Sequence, residues 1–126
     1  KMEMTQITIT IDNQRFQAEL NESATAQQIL AALPLDATAT KWGDEFYFGI
    51  PVTLAEAPDA QSEVAVGTLA YWPPGNAFCI FFGPTPVSQG SEPRAYSPVN
   101  VFGRLLDDVT PLRTLRSGVR VQVTAS

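Results

Sequence analysis

The sequence predicts a single, mostly β domain that closes into a barrel, with one helix capping an end and a short helix near the C-terminus. Apolar residues make up 44% of the 126 residues and charged residues only 17%, a balance typical of strands rather than of solvated helices. About eight segments show the alternation or continuous apolarity of strands. That many strands remove their exposed edges by closing into a barrel or by stacking as a sandwich, and we favour the barrel. No shift in composition divides the chain, so residues 1–126 are expected to form one domain.

Four short strands are predicted in the first half of the chain. Apolar and polar residues alternate most clearly around Ile7, Ile9 and Ile11, and a period of two places alternate side chains on one face of a sheet. Asp12 and Asn13 favour a tight turn, so the first two strands are expected to form a hairpin. The four predicted strands span residues 6–11, 15–20, 38–42 and 45–48.

The capping helix is predicted over residues 21–33. Its apolar residues recur at helical spacing and form one stripe of Ala26, Ile29, Leu30 and Leu33. The N-cap is either Ser23 or Thr25, which would form a capping box with Gln28. Pro34 ends the helix, because the residue before a proline avoids helical backbone angles.

An aromatic hairpin is the densest apolar segment of the second half. Two strands, 67–71 and 77–82, flank the sequence Pro-Pro-Gly-Asn of residues 73–76. Pro-Gly in a loop predicts a type II turn, with Gly75 at the position that needs a positive φ. Continuous apolarity in the second strand predicts burial on both of its faces or closure of a barrel.

The remaining segments are predicted as two loops, two strands and a short helix. The helix would begin with Thr110 as its cap and Pro111 in its first turn, and Gly118 would end it. Four prolines favour a long loop over 84–98, and long loops are often functional. The loops are placed at residues 55–63 and 84–98, and the strands at 100–106 and 119–124.

Net charge and residue usage exclude several classes of function. A net charge of −5 disfavours binding to nucleic acids and to anionic membrane surfaces. Without histidine, the chain lacks Ser–His and Cys–His nucleophile pairs and histidine-based zinc sites, so we predict neither a metal nor a cofactor. The single cysteine, Cys79, suits a reducing compartment, and we expect a cytoplasmic protein. No apolar run reaches the roughly 18 residues of a membrane span, and we expect no signal peptide at the N-terminus. Lys1, before Met2, is expected to be a cloning remnant.

Several segments resemble cyclophilins. Residues 67–83 resemble the cyclophilin pattern of Gly-Thr-Leu, a Gly/Asn-rich turn and an aromatic strand, and residues 100–105 resemble its Val-Phe-Gly-Lys strand. The Trp-Gly-Asp-Glu-Phe-Tyr-Phe sequence of residues 42–48, with residues 67–75, is more similar still to a small prokaryotic cyclophilin-like family of uncharacterised proteins. The resemblance covers roughly the whole chain and implies a closed eight-stranded cyclophilin-like barrel.

The resemblance does not extend to the cyclophilin catalytic element. Cyclophilins hold and polarise the prolyl amide with the arginine of a Phe-His-Arg sequence, and the corresponding residues 45–48 contain no arginine. Our first hypothesis is therefore a domain that binds a small molecule or an extended peptide in an aromatic groove. The second is a weak peptidyl-prolyl isomerase with a different donor. The third is an interaction or subunit domain of a larger enzyme complex, and a homo-oligomer is left open.

No catalytic residue is assigned, but a set of ligand-binding candidates is. Trp42, Tyr47 and Trp72 could lie in the core or at the rim of a pocket, and a buried tryptophan would need a partner for its indole N–H. Glu45 lies among aromatic residues and needs a partner, for which we expect Arg104. Arg94 is the cation placed to approach a ligand from outside. The candidates are Trp42, Glu45, Tyr47, Phe48, Tyr71, Trp72, Phe78, Cys79 and Arg104.

Overall fold

The computed structural model describes residues 4–126, which form nine strands, one α-helix and two short 3-10 helices. Lys1 lies outside the described residues. No helix in the described part of the chain has the length and apolarity to span a bilayer. The elements are β1 (Thr5–Ile11), β2 (Gln14–Leu20), α1 (Ala24–Ala32), β3 (Leu35–Lys41), β4 (Glu45–Gly49), β5 (Gln61–Glu63), β6 (Thr68–Trp72), β7 (Ala77–Phe81), β8 (Arg94–Leu105) and β9 (Val119–Ala125), with 3-10 helices at Pro73–Gly75 and Thr110–Thr114.

Eight strands form a closed ring. Their order is β2-β1-β9-β3-β4-β7-β6-β8, and β8 pairs with β2 to complete the circle. All of these pairs are antiparallel. The short strand β5 pairs with β8 alone. The predicted mostly β fold with eight strands in a closed arrangement is confirmed.

The ring closes where β2 meets β8. Leu20 lies opposite Gly103 in this pair, and the backbone N–H of Asn21 donates to the Phe102 carbonyl at 2.9 Å. A Cβ on Gly103 would lie 2.5 Å from the Glu19 carbonyl oxygen. The two backbones can approach this closely only because residue 103 has no side chain.

The core lies inside the ring and is rich in aromatic side chains. Phe46 stacks on Phe82, and Phe78 packs edge-to-face on Phe102 with ring centroids 5.0 Å apart. Alternate residues of each strand point inward, as the period-two pattern predicts. The isoleucines of β1 that carry this pattern, Ile7, Ile9 and Ile11, are at most 1% exposed.

Helix α1 packs its apolar residues on the core of the ring. Ala26 and Ile29 are buried in that core, whereas Leu30, which belongs to the predicted stripe, is exposed. Of the two predicted N-caps, the structure selects Ser23, whose hydroxyl accepts the N–H of Ala26 at 3.0 Å. Thr25 lies within the helix, one residue after its start, and is buried.

Two buried polar side chains fix the segment that follows β4. The Tyr71 hydroxyl donates to the Val52 carbonyl at 2.7 Å and accepts the N–H of Leu54 at 3.1 Å. The Asn100 side chain accepts the N–H of Ala57 and donates to the carbonyl of Ala55 and the hydroxyl of Thr25. The segment therefore has a defined backbone path although it contains no regular element before β5.

The predicted loops at residues 55–63 and 84–98 are partly wrong. Strand β8 begins at Arg94, inside the second predicted loop, and β5 forms the end of the first. The two strands pair at Gln61–Val99 and at Glu63–Arg94, with a register shift between these pairs. Pro98 lies in the irregular stretch, where its missing N–H is tolerated.

The predictions for two short turns need correction, the type II turn at residues 73–76 and the helix that was to begin at Thr110 and end at Gly118. The residue with positive φ after the two prolines is Asn76, at 47°, and residues 73–75 form a 3-10 turn rather than a type II turn. Gly75 is required for another reason, because a Cβ there would lie 2.7 Å from the Trp72 ring. The second helix is a 3-10 turn that ends before Leu115, and its N-cap is Val109 rather than Thr110. The N–H of Thr110 donates to the carboxylate of Asp108, the residue before this cap.

The close approach at Gly103 predicts a large effect of a single methyl group. We expect Gly103→Ala to lower the free energy of unfolding by roughly 1–3 kcal/mol, because the added Cβ overlaps backbone that cannot rotate away. Gly49→Ala is the matched control, since a Cβ there meets nothing within 4 Å. Urea denaturation measures both variants, and equal stability of the two would contradict the role of the Gly103 contact.

Candidate functional site

The outer face of the ring carries a cavity of about 260 Å³, which we call the outer cavity. Neighbouring residues of one strand point to opposite faces. In β4, Phe46 and Phe48 fill the interior, so Glu45 and Tyr47 face outward. The structure brings five of the predicted candidates together in the wall of this cavity: Trp42, Glu45, Tyr47, Trp72 and Cys79.

Strand β8 supplies the rest of the wall, which the sequence analysis missed. Ala95, Tyr96 and Val99 line the outer cavity, but they lie in or beside the stretch predicted as a loop. Ala95 and Val99 are buried, whereas Tyr96 is 72% exposed. The sequence contained one signal for this part of the wall, since Tyr96 is the only aromatic residue between positions 84 and 98.

Three aromatic rings stand at the mouth of the outer cavity. The ring of Tyr96 lies between those of Trp42 and Trp72, with centroid distances of 6.3 and 6.2 Å and edge-to-face geometry on both sides. The Trp72 indole N–H donates to the Ser97 hydroxyl at 2.7 Å, which is the partner that a half-buried indole requires. This hydrogen bond and the contact with Gly75 fix the orientation of the Trp72 ring.

Glu45 is the acidic group of the wall. Its side chain is only 5% exposed, and no Lys or Arg among residues 4–126 forms an ion pair with it. Burial raises the pKa of Glu45 to about 7, and the neighbouring Cys79 thiol partly offsets this effect. Burial, and then the charge of Glu45, raise the pKa of Cys79 well above its usual value, so this thiol is a poor nucleophile.

The expected Glu45–Arg104 pair is wrong. Arg104 lies beside the β2–β8 closure of the ring, where its guanidinium contacts the Glu19 carboxylate at 2.8 Å. Arg94 does not line the outer cavity either, since it forms ion pairs at 3.1 Å with Glu63 and Glu92. Both arginines are thus paired with carboxylates away from the wall of the cavity.

Three other predicted candidates lie in the interior of the ring rather than in the outer cavity. Phe48 and Phe78 stack on each other with centroids 4.8 Å apart, and Tyr71 is fully buried with its hydroxyl bonded to the backbone. Their neighbours in the strands face the cavity instead. The strand assignments were sound, but the sequence alone did not identify which face of each strand the site occupies.

The wall of the outer cavity combines an apolar surface with one acidic group. It consists of aromatic and small apolar side chains, one carboxyl group and one thiol, and it contains no lysine or arginine. Among residues 4–126 no cluster of three acidic or cysteine side chains could hold a metal ion. The outer cavity thus presents an aromatic surface with a single acidic group.

The closed ring of eight strands with one helix is a cyclophilin-like fold, and the sequence agrees. The family model described as cyclophilin-like matches residues 5–124, so the chain belongs to this family. The solution structure of a hypothetical protein from Archaeoglobus fulgidus is similar to it, with 35% identity and a TM-score of 0.82. That likeness covers 98% of this chain and 95% of the other. No curated protein matches the sequence.

The raised pKa of Glu45 predicts a specific pH dependence of stability. The folded protein holds this proton more tightly than the unfolded chain does, so the free energy of unfolding falls as pH rises from 4.5 to about 7. We expect Glu45→Gln to remove this contribution, which is on the order of 3 kcal/mol.

Urea denaturation at several pH values measures the difference between wild type and variant. That difference should grow in favour of Glu45→Gln as pH rises through this window and stay constant above it. Glu56→Gln, at an exposed position outside the cavity, is the control and should follow the wild type. Parallel curves for wild type and Glu45→Gln would contradict the assignment.

Proposed function

We propose that this protein is a binding domain whose outer cavity holds a small molecule, or a side chain of an extended peptide. The observation that carries the proposal is the convergence of four aromatic side chains and one buried carboxyl group from separate segments on one cavity: Trp42, Glu45, Tyr47, Trp72 and Tyr96. Ligand sites are typically apolar concave surfaces with few polar groups that fix orientation.

The size of the cavity favours a small ligand group. Its volume of about 260 Å³ lies just below the roughly 300–1,000 Å³ of sites for drug-sized molecules. The cavity lies on the face of β4 opposite to the core residues Phe46 and Phe48, so it offers aromatic surface without loss of the interior packing. A rigid aromatic surface binds with a small loss of conformational entropy.

Binding is favoured over isomerase activity by the composition of the wall. A cyclophilin-type isomerase needs a donor that polarises the prolyl amide, and the wall of the outer cavity contains neither arginine nor histidine. The proposal places the protein in the cytoplasm, because its one cysteine is free and buried. With a net charge of −5, nucleic acids and anionic membranes are not proposed as partners.

Intrinsic fluorescence tests the proposal directly, because both tryptophans of the chain, Trp42 and Trp72, line the outer cavity. We expect a saturable change of tryptophan emission on titration with at least one member of a panel of small neutral, anionic and cationic compounds and short peptides. Trp42→Phe and Trp72→Phe each leave a single reporter and should both retain a signal.

Variants then assign the signal to the cavity. Tyr47→Ala should weaken binding by about tenfold, since truncating a buried aromatic contact costs roughly 1–2 kcal/mol. Arg104→Gln, which alters a surface away from the cavity, should leave the affinity unchanged. The proposal fails if no compound of the panel alters the emission, or if Tyr47→Ala and Arg104→Gln have equal effects.

A further inference from the structure

Among residues 4–126, no lysine or arginine forms an ion pair with the buried carboxyl group of Glu45. The two cations next to wall residues in the sequence are bound elsewhere. Lys41, beside Trp42, donates to the carbonyls of Arg113 and Leu115, and Arg94 is held by two glutamates. Burial of a carboxylate without a counter-charge is costly, so a positive charge in the cavity would be stabilised by Glu45.

The aromatic rings of the outer cavity favour the same kind of charge. The faces of indole and phenol rings carry negative potential and attract cations within about 6 Å of the ring centre. Trp42, Trp72 and Tyr96 stand close together at the mouth, with adjacent centroids 6.2 and 6.3 Å apart, and Tyr47 lines the wall beside Glu45. One group placed among these rings can therefore contact more than one of them.

We propose that the outer cavity binds a small organic cation, with an alkylammonium head group among the rings of Trp42, Tyr47, Trp72 and Tyr96 and with Glu45 as its counter-ion. This inference rests on the proposed binding function and specifies its ligand class. An anion would face Glu45 without any lysine or arginine in the wall. An inorganic cation would find one carboxyl group and few other oxygen ligands, whereas an alkylammonium group matches both the apolar rings and the charge.

Binding of a cation would be linked to the ionisation of Glu45. Because the folded protein retains this proton up to about pH 7, a bound cation favours its release, and affinity should increase from pH 5.5 to pH 8. The other titratable groups that face the cavity are Cys79 on β7, Tyr47 on β4 and Tyr96 on β8. The Glu45→Gln variant separates the contribution of Glu45 from theirs.

The experiment compares choline with 3,3-dimethylbutan-1-ol, which has the same shape without the charge. Calorimetric titration of the full chain at pH 8 should show choline binding at least tenfold more tightly, because the neutral analogue lacks both the attraction of Glu45 and a cation–π contact of about 1.4 kcal/mol. A short peptide carrying trimethyllysine presents the same head group and distinguishes a peptide source from a free small molecule. Binding of either charged probe, with exclusion of the neutral analogue, supports the proposal.

Two variants complete the test. Glu45→Gln should lower the affinity for the charged probe by about tenfold and remove its dependence on pH; Glu56→Gln should change neither. The proposal is overturned if the neutral analogue binds as well as choline, if neither charged probe binds, or if Glu45→Gln retains the wild-type affinity and pH dependence. Tight binding of a neutral compound would overturn the proposed cation specificity while leaving the proposed binding function intact. If no compound of the fluorescence panel changed the tryptophan emission, both proposals would fail.

Discussion

The pairing of β2 with β8 is the interaction on which the rest of the structure depends. Without it the sheet would have two free edges, and its inward face would be a hydrophobic surface open to water. When β2 pairs with β8, every strand of the ring has two neighbouring strands and packs one face on the core. The contact is possible because the chain has a glycine where β8 crosses Glu19. A single position without a side chain thus permits an aromatic core to be enclosed.

Closure of the ring also explains why a site can form on its outside. The interior is occupied by a core of buried side chains such as Phe46 and Phe78. On the outer face, β5 and the first part of β8 cover a second group of apolar residues that includes Ala70, Cys79 and Phe81. Strand β7 is buried on both faces for this reason. The outer cavity lies at the margin of this covered region, where aromatic rings remain partly in contact with solvent.

Local signals in the sequence were sufficient for most of the ring, but not for the site. The hairpin of β1 and β2 depends on neighbouring residues, and the alternation of residues 6–11 and 15–20 predicts it. The N-cap of α1 was predicted only as Ser23 or Thr25, and the structure selects Ser23. The pairing of β5 with β8 joins residues more than 30 positions apart, and the prolines of that stretch suggested a loop. Tyr96 was missed for the same reason. The sequence could not show that Arg104 pairs with Glu19 rather than with Glu45, because the pairing of β2 with β8 brings Arg104 and Glu19 together.

The buried side chain of Asn100 has a further consequence for how this sequence can vary. Its amide oxygen accepts from Ala57 while its amide nitrogen donates to Ala55 and Thr25, so one residue joins helix α1, strand β8 and the segment before β5. An aspartate of equal size could accept but not donate, and a leucine could do neither. Variation at this position is therefore limited by the direction of its hydrogen bonds rather than by volume, which makes it a chemical constraint on the spacing between three distant parts of the chain.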